Sequence, residues 1–115
     1  MDSKLKTYLG FASKAGKLLF GMAKAAESAK RGKTGLIVYA SDISPKSQKE
    51  LLFTAKQYNV QAMLLPCTTD ELENATGRKG SVISVEDDSF AKAVKERLNS
   101  IKENQEGTCD GKIQN

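Results

Sequence analysis

Three observations predict an α/β fold for this chain, a three-layer α/β/α sandwich around a mixed sheet of about four strands. Segments with helical spacing alternate with short apolar runs along most of its length. One of those runs, Leu36-Ile37-Val38-Tyr39-Ala40, is apolar at every position, which suits a strand covered on both faces. Strands separated by helices need crossover connections, and these place helices over both faces of a mostly parallel or mixed sheet.

The elements follow in order. Residues Ser3 to Ala15 put Leu5, Tyr8, Leu9 and Ala12 on one helical stripe, and Gly16 closes that helix. Lys17 to Phe20 reads as a short strand. Gly21 opens a second helix, with Met22, Ala25, Ala26 and Ala29 inward and Gly32 as its stop. After the Leu36 to Ala40 strand, Ser44-Pro45 is a helix start with an N-cap and a proline at the first helical position. That helix runs to about Tyr58, with Leu51, Leu52 and Ala55 inward and Asn59 beyond its end. Val60 to Leu65 is the next strand, stopped by Pro66.

Thr68 followed by Glu71 forms a capping box, and Gly77 ends the short helix that it starts. Ser81 to Val85 is a further strand. Asp87, Asp88 or Ser89 begins the last helix, which buries Phe90, Val94, Leu98 and Ile101. The polar stretch from Glu103 to Asn115 reads as a disordered tail, leaving residues 1–102 as the single domain expected of 115 residues.

Composition narrows the function classes. The longest apolar stretches, Leu36 to Ala40 and Ala62 to Pro66, are far short of the roughly 20 residues that a bilayer-spanning helix needs. Asp2, Lys4 and Lys6 interrupt any apolar leader at the N-terminus. Cys67 and Cys109, in a chain with no histidine, make no zinc site and read as free thiols. These features together predict a cytoplasmic protein with no metal and no cofactor.

No catalytic constellation is visible either. Without histidine there is no Ser-His-Asp or Cys-His arrangement. Gly10 and Gly16-Lys17 approach a nucleotide-binding loop, but the glycines stand six apart rather than five. Leu18 also occupies the position of the magnesium-binding hydroxyl. The acidic runs Asp70-Glu71-Glu73 and Glu86-Asp87-Asp88 sit where helices begin, so the helix dipole accounts for them. Asp42 reads as a turn residue before the Ser44 cap.

Charge is the informative feature. Residues 1–33 carry eight basic residues against two acids, a net of +6, while residues 34–115 carry ten against twelve, a net of −2. A basic end on a near-neutral body suits a polyanion as well as a solvated surface. Within it, Lys17-Leu-Leu-Phe-Gly21-Met-Ala-Lys24 places a glycine and two lysines at a helix start. Free N–H groups there suit a phosphate, with Lys17 and Lys24 as counter-charge. Gly21 reads equally as an ordinary helix-start glycine. Arg31 and Lys33 fall at the opposite pole of this helix.

Leu9-Gly-Phe-Ala-Ser-Lys-Ala-Gly-Lys17, Gly21 to Gly32, Lys33-Thr-Gly-Leu-Ile-Val-Tyr-Ala-Ser-Asp42 and Glu71-Leu72 to Gly77 resemble the kink-turn-binding ribosomal protein superfamily. That superfamily includes the L-seven-Ae, L-thirty-e, S-twelve-e and Gadd-forty-five types, and the closest look is to its bacterial YlxQ branch. The resemblance implies the same α/β/α sandwich and a non-catalytic, ribosomal or ribosome-associated protein binding structured RNA, with ribosomal proteins as further partners. It maps a first RNA-binding surface onto Gly21, Met22, Ala23, Lys24 and Glu27, and a second, apolar one onto Leu65, Pro66, Cys67, Thr68 and Thr69.

This chain departs from the ribosomal members. They carry Asn-Glu at the Ala23-Lys24 positions, a lysine at Glu27 and Leu-Gly at Leu72-Glu73. Loss of the base-reading side chains leaves phosphate binding better supported than kink-turn readout. The alternative is a protein-interaction module of the same fold that binds no RNA.

Overall fold

In the computed structural model, which describes residues 2–109 with side chains through Lys102, the chain starts with a pinned helix end. Asp2 caps α1 (Ser3–Lys14), its carboxylate accepting from the Leu5 N–H at 2.9 Å. The same carboxylate takes two bonds from the Arg97 guanidinium, at 2.6 and 2.8 Å, which ties the first helix to the last. The elements that follow are β1 (Leu18–Phe20), α2 (Met22–Lys30), β2 (Leu36–Tyr39), α3 (Pro45–Gln57), β3 (Ala62–Leu64), α4 (Thr69–Thr76), β4 (Val82–Val85) and α5 (Asp88–Cys109).

The strands form one four-stranded mixed sheet in the order β1-β4-β2-β3. β1, β2 and β3 run in one direction and β4 runs against them, so β2 with β3 is the one parallel pair of neighbours. The physical reason lies in α4. After β3 the chain does not cross to the far end of the sheet. It turns at Gly77, in the left-handed conformation with φ 78°, and re-enters at the end it left, where Val82 pairs with Tyr39. A strand entering from that end must run opposite to its neighbours.

Two cores lie on either side of the sheet. Leu5, Leu9, Leu36, Val38, Ile83, Val85 and Val94 share one with α1, α4 and α5. Ala25, Ile37, Tyr39, Leu51, Ala55 and Val82 form the other with α2 and α3. Along β2 the side chains alternate between these cores, so a fully apolar strand is required at this place. The three layers expected from the sequence are present.

Some details differ from the sequence reading. Leu52 was expected inward but is 41% exposed, because it falls about 100° around the helix from Leu51 and outside the buried arc. Each strand is shorter than the run that marks it, by one residue at one end for β1, β2 and β4 and at both ends for β3. The expected tail begins within α5, whose backbone stays helical through Cys109, since no glycine or proline interrupts it before Gly107. Residues 110–115 of that expected tail lie outside the described residues.

One polar chain runs between the sheet and α2. The Ser84 hydroxyl donates to Thr34 at 3.0 Å, Thr34 donates to Ser28 at 2.8 Å, and Ser28 donates to the Glu86 carboxylate. Ser84 and Ser28 are buried, and each of these hydroxyls has its partner. Such a directed chain holds α2 in one position on the sheet.

Candidate nucleic-acid interface

The carboxyl ends of β1, β2 and β3 share one end of the sheet with the start of β4. Four chain segments meet there: the start of α2, the 40–44 loop, the 65–69 loop and the 77–81 loop.

Gly21 is the N-cap of α2, with φ 108° and ψ 152°. This backbone conformation is nearly confined to glycine. An added Cβ would meet nothing within 4 Å, so the conformation, not crowding, demands glycine here. The Gly21 N–H donates to the Val82 carbonyl at 2.8 Å, and its own carbonyl accepts from the Ala25 N–H. That leaves the amide groups of the first turn of α2 with no side-chain cap. The other four helices have one: Asp2 on α1, Ser44 on α3, Thr68 on α4 and Asp87 on α5, the last through the Phe90 N–H at 3.0 Å. The first turn of α2 also holds no acid, and Lys24 stands at its third position.

The loop after α4 reaches this place. Gly80 packs on Phe20, where a Cβ would come within 3.2 Å of the ring. The Arg78 guanidinium lies 4.7 Å from the centre of that ring, beside the residue that precedes Gly21. Arg78 and Lys79 are both exposed. The sequence reading did not single them out, because 57 residues separate Lys79 from Met22 and only the β1–β4 pairing joins them.

The expected site residues divide accordingly. Gly21, Met22, Ala23 and Lys24 form the start of α2, with Met22 half-buried against the second core and Ala23 and Lys24 exposed. Glu27 is exposed one turn further along. Lys17 is not with them. Its carbonyl accepts from the Glu86 N–H at the other end of β1, about 13 Å from Gly21 along the strand.

The 65–69 segment lies beyond β3, three strand spacings or about 14 Å from the end of β1. Leu65 and Cys67 are 0% and 2% exposed and turn into the core, leaving Pro66, Thr68 and Thr69 outward. Burial pushes the Cys67 thiol up to about 11, so it is not a reactive thiolate. Asp42 does more than form a turn. Its carboxylate accepts from the Thr69 N–H at 2.9 Å and hydroxyl at 2.7 Å, and the Thr69 hydroxyl is the main cause holding the Asp42 carboxyl below its ordinary range.

A groove of about 370 Å³ runs along α2 and is lined by Lys24, Arg31 and Lys33 with Glu27, Ser28 and Glu86. Arg31 and Lys33, which the sequence places at the opposite pole from Gly21, thus share a surface with Lys24. The arrangement offers hydrogen-bond donors and positive charge at one helix start, followed by further cations. Among the described residues no three acidic or sulfur side chains cluster as metal ligands, and no helix is long and apolar enough to cross a membrane.

The fold is a small α/β/α sandwich whose α2 begins without a side-chain cap, with Lys24 in its first turn. The chain belongs to the Ribosomal protein L7Ae/L30e/S12e/Gadd45 family, whose model matches residues 3–95. No curated protein sequence matches it significantly. Among solved structures it is similar to a protein of unknown function from Bacillus halodurans C, with a TM-score of 0.80 and 24% identity over 85% of this chain and 99% of that one. It is also similar to the Giardia lamblia 15.5kD RNA binding protein, with a TM-score of 0.69 and 18% identity over 86% and 85%. Both likenesses concern the fold.

Proposed function

We propose that this chain is a non-catalytic, cytoplasmic RNA-binding protein that docks the start of α2 on structured RNA, ribosomal or from a related ribonucleoprotein. One observation carries the reading: α2 alone among the five helices begins without a side-chain cap, with Lys24 in its first turn and the Arg78 guanidinium on Phe20, the residue before its N-cap. Amide groups left open at a helix start bind phosphate oxygens, and the helix dipole adds to the attraction. Family membership and the likeness to the Giardia RNA binding protein support the same reading.

In this reading Gly21, Met22, Ala23 and Lys24 meet the backbone, Arg78 and Lys79 flank it, and Arg31 and Lys33 extend the contact along the groove. Glu27 limits how closely phosphate approaches between them. Pro66, Thr68 and Thr69 supply an outer rim, and Lys17 lies outside the contact. Kink-turn preference then rests on shape and phosphate spacing, because Ala23 offers no base-edge partner.

A filter-binding salt series on kink-turn, duplex and single-stranded RNA tests this. Four to six phosphate contacts give a log–log slope on the order of −4 to −5. No binding to any of the three at low salt overturns the reading. Ala23 and Glu27 favour the alternative of a protein-interaction module, for which partners captured from lysate would persist after ribonuclease digestion.

A further inference from the structure

The outer face of α3 carries a second basic surface, separate from the start of α2. Lys46, Lys49, Phe53 and Lys56 follow one another at steps of three and four residues, so they share one stripe of the helix. Leu51, Thr54 and Ala55 are buried on the opposite side. All four stripe residues are exposed, and Phe53 is 68% exposed, the most of any large apolar side chain among the described residues. None of the three lysines is ion-paired among the described residues. Glu50 borders the stripe on one side and Leu52 on the other. Helices α2 and α3 pack side by side on the same face of the sheet.

We propose that this stripe is a docking surface for an unpaired RNA strand, with the lysines on phosphates and one base stacked on Phe53. The proposal rests on the RNA-binding reading above and extends it to a second surface. Two physical points favour nucleic acid over a protein partner. The contact cores of protein interfaces are depleted in lysine, whereas three lysines share the stripe with this single ring. Single-strand sites combine a cationic track with an aromatic platform, since every base has a face that stacks. Lys46 and Lys56 lie about 15 Å apart along the helix, which lets the lysines and the ring meet successive nucleotides.

The experiment uses fluorescence anisotropy on the full chain with two probes, an unstructured RNA of about ten nucleotides and a blunt structured hairpin. Phe53→Ala weakens strand binding about five- to tenfold, the low end of the range for base–aromatic stacking, and Phe53→Tyr keeps it. Replacing Lys46, Lys49 and Lys56 by Gln flattens the salt slope for the strand by about 2. All of these variants keep the thermal midpoint of the parent and leave hairpin binding within about twofold, since the changed side chains are exposed.

Failure of the parent to bind the strand, or equal strand affinity for the parent and Phe53→Ala, overturns the proposal. An acidic peptide that binds more tightly than the strand, in a Phe53-dependent way, overturns it in favour of a protein partner. Strand binding that depends on Phe53 supports the α3 surface whether or not the hairpin binds, so this result stands apart from the test of docking at α2.

Discussion

At the end of the sheet where β1, β2 and β3 finish, α2 and α4 both begin, and their first turns are built in opposite ways. In α4 the Thr68 hydroxyl accepts from the Glu71 N–H at 3.2 Å, and Glu71 accepts from the Thr68 N–H at 2.9 Å. Asp42 takes the Thr69 N–H, and Asp70 adds further negative charge. The chain satisfies this helix start from its own residues. In α2 the N-cap is a glycine with no side chain, and the position held by Glu71 in α4 is held by Lys24. A capped, acidic start repels an anion, and an uncapped, cationic one attracts it. The comparison separates the two surfaces that the family resemblance treats alike.

Gly21→Ala should produce the largest effect. A non-glycine residue at φ 108° costs about 1–3 kcal/mol. At this domain size each kcal/mol lost moves the thermal midpoint by roughly 4–8 °C. Relief of the strain moves the first turn of α2, so RNA affinity falls more than about tenfold, the equivalent of 1.4 kcal/mol. A melt and a binding titration on the same sample check both effects. Normal affinity in a folded Gly21→Ala variant would show that the open helix start is not the contact.

Charge removal comes next. Changing Lys24, Arg78 and Lys79 together to Ala should flatten the salt slope by about 2–3 while lowering the melting temperature little, because all three are exposed. Thr68→Ala at the closed start has the reverse signature. It costs about 1 kcal/mol of stability through loss of the cap and leaves the salt slope unchanged. Matching slopes for the two variants would remove the distinction between the helix starts.

Much of this comparison was legible in the chain itself. Thr68 with Glu71 and Ser44 with Pro45 are local signals, because a cap is written within three or four residues. Gly21 was legible as a helix start for the same reason. Strand direction was less so: the reversal of β4 depends on where α4 turns back, which spacing alone does not encode. Arg78 and Lys79 were missed because only sheet pairing brings their loop to Phe20. Lys17 was placed with Gly21 because they are close in sequence, yet a strand carries neighbours apart by about 3.3 Å per residue. Leu65 and Cys67 look like an apolar patch in sequence and are core residues in space.

The smallest effect concerns acid. Asp42 and Glu71 both titrate below their ordinary ranges, Asp42 chiefly through the Thr69 hydroxyl and Glu71 chiefly through the Thr68 N–H. A carboxyl whose folded value is depressed binds protons more weakly when folded than when unfolded. Its contribution is therefore full above the unfolded value, about 4, and is lost as pH falls through the lower folded value. The first turn of α4 should loosen below pH 4, seen as movement of the Thr69 and Glu71 amide resonances in an NMR titration. Asp42→Asn removes the Asp42 part of that movement. The first turn of α2 has no carboxylate to titrate, so the Met22 to Lys24 amides should stay still over the same range. Equal movement at both helix starts would mean that acid acts on the fold as a whole, and the two ends would no longer be independent.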